Sequence, residues 1–301
     1  MNSKATLLVT GGTGFIGGHL ALRSPFPKTW VTWHSHPICQ SSLYTAVQLN
    51  LTDRADVRKT VTELHPDIII HTAALASLAI CRERPDEAWA INVDGSAYLA
   101  EAAHAIGARL ILLSTDLVFD GERGNYDETA TPRPLSIYAR TKLEAERIVS
   151  RECPNACIVR GSLVYGFSAN DKHCFTEVLL QRLREGELVK LYTDEYRTPI
   201  YIEDFCSMLF KLGERQDMQH VVHLGGPERV SRYRFGLMLC NVFNLDTRLV
   251  IPISADKDST AGERPKDCSL NSDKLYRELN FHPQPIRDSL HAMRMSEHQL
   301  P

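Results

Sequence analysis

The sequence predicts an α/β protein built on a doubly wound parallel sheet. Three observations carry that expectation. Short β-rich runs alternate with helical stretches, several of the runs are apolar throughout, and a glycine-rich turn joins the first strand to the first helix. Strands that lack polar alternation must be covered on both faces, which a parallel sheet flanked by helices provides. Repeated strand–helix crossovers of this kind give a doubly wound sheet.

The elements follow in order. Residues 5–10 read as a strand, 14–23 as a helix, 30–34 as the second strand and 53–64 as a helix. Residues 67–71, with three consecutive isoleucines, read as the third strand, 85–106 as one long Ala-rich helix and 109–114 as another apolar strand. A helix over 137–152 and a strand over 156–161 complete the first half. After Tyr165 the pattern loosens. Residues 174–184 are expected to be helical, 197–202 lead into a helix over 203–212, and 220–224 form a strand ending in Gly225-Gly226-Pro227. The expected organisation is a Rossmann-like nucleotide-binding domain over 1–164, to which 197–224 return. A smaller, interleaved C-terminal substrate-binding lobe takes 165–196 and 225–301.

Composition excludes several classes. Lys and Arg total 34 against 37 Asp and Glu, a net charge of −3, with no basic stripe. Nucleic-acid binding is therefore not expected. No apolar run is long enough to span a bilayer and no signal peptide leads the chain, so a cytoplasmic, non-membrane protein is expected. The 8 cysteines (Cys39, Cys81, Cys153, Cys157, Cys174, Cys206, Cys240 and Cys268) are scattered, and most sit among apolar neighbours. Buried reduced thiols are expected rather than a disulfide framework. Cys153 and Cys157 lack a second Cys/His pair at ligand spacing, so no metal site is expected.

The turn Thr10-Gly11-Gly12-Thr13-Gly14-Phe15-Ile16-Gly17 sits between strand and helix. There Gly11 allows a sharp turn, Gly14 a close approach to pyrophosphate, and Gly17 tight helix–strand packing. Backbone N–H groups and the helix dipole would hold the phosphate charge. A dinucleotide is the expected ligand. A carboxylate selecting NAD should lie about 20 residues beyond the glycines, yet no Asp or Glu precedes Asp53. The second strand ends in Trp33-His34-Ser35-His36, where His34, Ser35 or His36 could donate to a 2′-phosphate. NADP(H) is thus favoured, with NAD(H) allowed.

Tyr138 and Lys142 stand four residues apart in an expected helix, on one face. A phenol ordinarily titrates near 10, and a neighbouring cation favours the phenolate. The pair follows a strand ending in Ser114-Thr115-Asp116, at the carboxyl edge where doubly wound sheets bind ligands.

Taken with these features, Ser114-Thr115-Asp116-Leu117-Val118-Phe119-Asp120-Gly121 resembles the Ser-Thr-Asp-Tyr-Val-Phe-Asp-Gly motif of the dTDP-4-dehydrorhamnose reductase family. The glycine spacing is similar to that of the wider short-chain dehydrogenase/reductase superfamily. The likeness continues through His71-Thr72-Ala73-Ala74, Asn92, Arg197-Thr198-Pro199 with Asp204, and Arg264-Pro265-Lys266. It implies reduction of a keto group on a nucleotide-diphosphate sugar, with Thr115 holding the carbonyl and Tyr138 protonating it. Lys142 would bind the nicotinamide ribose and lower the Tyr138 pKa. Cofactor contacts are implied for Gly11, Thr13, Gly14, Phe15, Ile16, Asn50, Leu51, Thr72, Ala73, Ala74, Asn92 and Ser114, besides Tyr138 and Lys142. Substrate contacts are implied for Leu117, Phe119, Leu163, Arg197 and Arg264. For each arginine a surface ion pair is the competing reading.

Leu117 stands where that family usually has Tyr, and Leu163 where it often has Trp. The resemblance allows a homodimer. Two alternatives stand beside it. Nucleotide-sugar dehydratases resemble Thr-Asp-Glu at this place, but Leu117 cannot act as acid or base, and the Ser-Ser pattern usual in epimerases is absent. A non-catalytic NADP-binding regulator, similar to the methionine adenosyltransferase regulatory subunit, is the other.

Overall fold

A computed structural model describes residues 4–38, 41–170, 174–257 and 264–297. Seven strands, β1 (Thr6–Thr10), β2 (Lys28–Trp33), β3 (Thr45–Gln48), β4 (Ile68–His71), β5 (Arg109–Thr115), β6 (Cys157–Gly161) and β7 (Val221–Leu224), form one sheet. They pair parallel throughout, in the order β7-β6-β5-β4-β1-β2-β3.

Side chains alternate between two apolar layers. Leu7, Val9, Ile68, Ile70, Ile111 and Val159 join a core that includes Leu20 and Phe205, from helices Phe15–Arg23 and Ile202–Glu214. Leu8, Ile69, Leu110, Leu112 and Ile158 face Val57, Leu99 and Ala145, from helices Arg54–Leu64, Gly95–Ile106 and Ile137–Glu152. Each fully buried aliphatic side chain contributes about 1.5–3 kcal/mol, and both faces of the sheet are covered. The expected doubly wound α/β fold is the one observed.

The chain runs from β1 to β2 on one side and returns through β4 on the other. Strand order reverses there, so the connections diverge and leave a crevice at the carboxyl edge. Gly11, just after β1, has φ +78°, and a Cβ there would sit 2.8 Å from the Ala73 backbone. A Cβ on Gly17 would lie 2.2 Å from the Gly11 carbonyl oxygen. These contacts set how closely the first helix and the segment after β4 flank the crevice.

Three features differ from expectation. β3 has no continuous apolar run because it is a half-exposed edge strand. A short helix, Leu78–Glu83, precedes the long one. The long helix is interrupted by a π-turn, Ala90–Asp94, between Pro85–Trp89 and Gly95–Ile106.

In the second half, Val164–Tyr165 pairs with Ile200–Tyr201, Tyr196–Arg197 with Val230–Ser231, and Val189–Tyr192 with Val250–Ile253. The middle pair brings Glu195 and Arg197 beside Arg232. Of the eight cysteines, Cys39 lies outside the described residues. The other seven are buried and unbridged. No helix among the described residues is long and apolar enough to cross a membrane.

Replacing Gly17 with Ala is expected to destabilise the chain by about 1–3 kcal/mol through overpacking, measured as a lowered midpoint in thermal unfolding. An unchanged midpoint would show that the turn can relax.

Candidate active site

Two clefts meet at the carboxyl edge and share Gly14, Thr72 and Ala74 in their linings. The first, of about 490 Å³, runs from the glycine turn past Ser114, Thr115, Tyr138 and Lys142 to Arg197, Arg232 and Arg264. The second, of about 380 Å³, lies between the turn and the ends of β2 and β3, against Gly11, Thr13, His34, Asn50, Leu51 and Ala73.

The glycine turn feeds an unusual helix N-terminus. Gly14 is the N-cap of Phe15–Arg23, with no side-chain cap and no acidic residue in the first turn. Its leading N–H groups therefore keep their donor capacity and positive potential. A Cβ on Gly14 would meet only the Gly11 carbonyl, at 3.2 Å, leaving the approach from the cleft open. Phe15 and Ile16 line the cleft beside it. Asn170, which the sequence did not single out, donates to the carbonyls of Thr13 (3.3 Å) and Gly14 (3.1 Å) and ties the second half to this turn.

Helix Ile137–Glu152 begins at an N-cap Ser136, which accepts from the Ala139 N–H. Tyr138 and Lys142 project from it into the same cleft, while Ala139, Ala145 and Val149 face the core. Burial lowers the Lys142 pKa to about 8, against the opposing pull of Glu146 one turn on. Glu146 is itself held by a bidentate Arg160 (2.7–3.2 Å) and by the Ser114 hydroxyl at 2.5 Å.

The Tyr138 phenol is held above its ordinary value by burial and by Asp116, with Thr115 opposing. Lys142 is not among the groups that shift it, so the lowering expected from the Tyr–Lys spacing is absent. The charge that acts most strongly on the phenol is the Asp116 carboxylate. Asp116 is buried between Thr115 (3.2 Å), Ser162 (3.2 Å) and Arg197 (3.6 Å), and desolvation raises its pKa.

Several expected site residues lie outside the clefts. Asn92 is buried and lines neither cleft. Its amide oxygen accepts from Leu75 N–H (2.8 Å), and its nitrogen donates to the Leu75 carbonyl (3.1 Å) and the Thr141 hydroxyl (3.0 Å). It therefore joins the segment after β4 to the helix of Tyr138 and Lys142. Phe119 is also buried, stacked on Tyr126 at 4.2 Å and away from the clefts. The turn Asp116–Val118 leads Phe119 into a small apolar cluster with Val118, Tyr126, Leu143, Cys268 and Leu270. Ser35 and His36 are exposed, bond one another at 2.9 Å, and leave His34 alone in the cleft lining.

Leu117 and Leu163 do line the first cleft. Arg197 lines it too, but is buried and donates to the carbonyls of Tyr196, Lys266 and Pro265. Arg264 is 47 % exposed, with Glu195 at 3.9 Å. Sequence reasoning passed over Glu195, Arg232 and, in the second cleft, Glu87. No spacing in the loosened second half points to the first two, and Glu87 lies far from the position where a carboxylate was sought.

Comparison with known proteins agrees with this geometry. The RmlD substrate binding domain family matches residues 5–298. The chain is 30% identical to methionine adenosyltransferase 2 subunit beta from Danio rerio, covering 94% of this chain and 90% of that protein. It is 32% identical to dTDP-4-dehydrorhamnose reductase from Sinorhizobium fredii, covering 77% and 81%. The crystal structure of dTDP-4-dehydrorhamnose reductase from Bacillus anthracis in complex with NADP superposes with a TM-score of 0.84 at 25% identity, over 97% of this chain and 99% of that one. A crevice at the strand-order reversal, a Tyr–Lys pair facing it and a family match across nearly the whole length make this chain a member of the RmlD substrate binding domain family.

Proposed function

We propose that the chain is an NADPH-dependent reductase of a 4-keto group on a nucleotide-diphosphate sugar, resembling dTDP-4-dehydrorhamnose reductase. One observation carries the reading. Thr115, Tyr138 and Lys142 line a single cleft that begins at an uncapped, acid-free helix N-terminus.

The residues present fit a dinucleotide. Phosphate charge suits the free N–H groups at Phe15 and Ile16. The second cleft, with Asn50, Leu51 and His34, has the volume and apolar floor for an adenosine. When bound, the cofactor supplies a hydride to the carbonyl carbon. Thr115 turns its single hydroxyl proton from Asp116 to the carbonyl oxygen, and Tyr138 gives that oxygen its proton. Burial and Asp116 keep the phenol protonated at neutral pH, the form a proton donor requires. Lys142 holds the ribose hydroxyls near Tyr138. No acidic side chain from the end of β2 lines the adenosine cleft, which supports NADPH over NADH.

A second reading draws on the Danio rerio relative. In that reading the chain binds NADP(H) without turnover, as a regulatory partner of a methionine adenosyltransferase. Steady NADPH consumption with a panel of 4-keto nucleotide sugars supports the reductase. Binding without consumption supports the regulator. A kcat/KM ratio favouring NADH would refute the cofactor preference.

Tyr138→Phe is expected to lower turnover by about 10²–10⁴-fold with NADPH binding intact, read by assay and fluorescence titration in parallel. Full activity in this variant would remove Tyr138 as the acid. Lys142 loses its proton as pH rises through about 8, so NADPH affinity is expected to fall between about pH 7 and about pH 9. The same titration on Lys142→Met should be flat, and an equal fall in both proteins would assign the effect elsewhere.

A further inference from the structure

The chain leaving the wall of the first cleft is fastened to the glycine turn, at a place where the first helix carries no side chain. Leu163 and Val164 line that cleft. A few residues on, the Phe167 carbonyl accepts from His19 Nε2 at 2.7 Å, and Asn170 Nδ2 donates to the carbonyls of Thr13 and Gly14, at 3.3 and 3.1 Å. Both of those partners are carbonyls, so the amide nitrogen and not the oxygen must face them. The amide oxygen accepts from the Ser168 hydroxyl at 3.1 Å. Gly18 lies against this amide, and a Cβ there would sit 2.8 Å from Asn170 Nδ2. Glycine inside a helix is costly relative to alanine. Here its bare face admits Asn170.

What these bonds orient follows from the peptide itself. A planar trans peptide points its C=O and N–H in opposite directions. The Gly14 carbonyl is held by Asn170 and by the Gly18 N–H at 2.9 Å. The Phe15 N–H, in the same peptide, is therefore turned the other way, toward the open end of the helix. The Thr13 carbonyl is held likewise, and the Gly14 N–H of that peptide closes the turn on the Gly11 carbonyl at 2.9 Å. Asn170 lines neither cleft, so it acts from behind the turn. Peptides fixed in this way need little reordering when an anion arrives.

We propose that Asn170 is a positioning residue for the cofactor diphosphate, setting the two peptides that flank Gly14 from the second half of the chain, and that Gly18 is bare to let it do so. The inference rests on the dinucleotide reading of the glycine turn. It concerns the 5′-diphosphate alone, because the adenosine side of the second cleft is lined by other residues, His34, Asn50 and Leu51 among them.

The experiment is calorimetric titration of the full chain with NADP⁺ and with adenosine 2′-monophosphate, which lacks the 5′-diphosphate, beside thermal unfolding of each protein without ligand. Asn170→Asp keeps the size of the side chain but has no donor at neutral pH. It and Asn170→Ala are expected to weaken NADP⁺ by roughly 5–30-fold and to leave adenosine 2′-monophosphate within about twofold of wild type. Gly18→Ala is expected to give the same selective loss, because the added methyl displaces the amide. Its thermal midpoint should be no lower than wild type, since alanine is the better helix former. NADP⁺ affinity within about twofold of wild type in Asn170→Asp and Gly18→Ala overturns the role of Asn170 and leaves the dinucleotide reading standing. An equal loss for both ligands, or a midpoint that falls in step with affinity in Gly18→Ala, overturns it too, because the contact is then merely structural. A wild type without affinity for NADP⁺ removes the dinucleotide reading and the proposal together. Should the Asn170 variants fail to fold, Gly18→Ala alone decides.

Discussion

The site depends on the amide of Asn92, which lies in the π-turn of the long helix and bonds two other segments at once. Its contacts with Leu75 hold the chain leaving β4, and its contact with Thr141 holds the helix that carries Tyr138 and Lys142. Thr141 passes the connection on by donating to the Tyr138 carbonyl at 2.8 Å. A regular α-helix through Ala90–Asp94 would turn successive side chains by a larger step, and π-turns recur where a side chain must be re-aimed at a functional site. A buried side-chain amide satisfied at both ends stays fixed, because any shift leaves a polar atom without a partner. The Gly11–Ala73 contact does the same work from the opposite wall of the crevice.

Charge beneath the cleft is organised as matched pairs. Glu146 with Arg160 and Asp116 with Arg197 are both nearly inaccessible to solvent. Such pairs add little net stability, but losing one partner strands a buried charge at a cost of about 3–5 kcal/mol. Their effect here is positional. Glu146 fixes Ser114 at the end of β5, and Asp116 fixes the Thr115 and Ser162 hydroxyls. The polar groups meet a substrate from a rigid floor, so little reorganisation is required when charge develops.

Much of the fold was legible because doubly covered strands write themselves as unbroken apolar runs. Ile68–Ile70 and Leu110–Leu113 could be little else. β3 was not legible, since Thr45–Gln48 is half-exposed and short. Placing Tyr138 and Lys142 on one face needed only helical periodicity. Motif likeness does not carry the direction of a side chain that depends on the turn that follows. Phe119 is buried against Tyr126, and Asn92 is buried against Leu75 and Thr141. Glu195 and Arg232 become neighbours only through the pairing of Tyr196–Arg197 with Val230–Ser231, a contact across more than thirty residues with no local signature.

The seven described cysteines bear on chemical durability. Burial pushes the Cys153 and Cys240 thiols up to about 11 and Cys157 to about 12. At neutral pH roughly one in ten thousand of these sulfurs, or fewer, is thiolate, the form that reacts with peroxides and alkylating agents. Such sulfur behaves as small apolar filling between sheet and helices. The chain thereby keeps these thiols out of reach of oxidants.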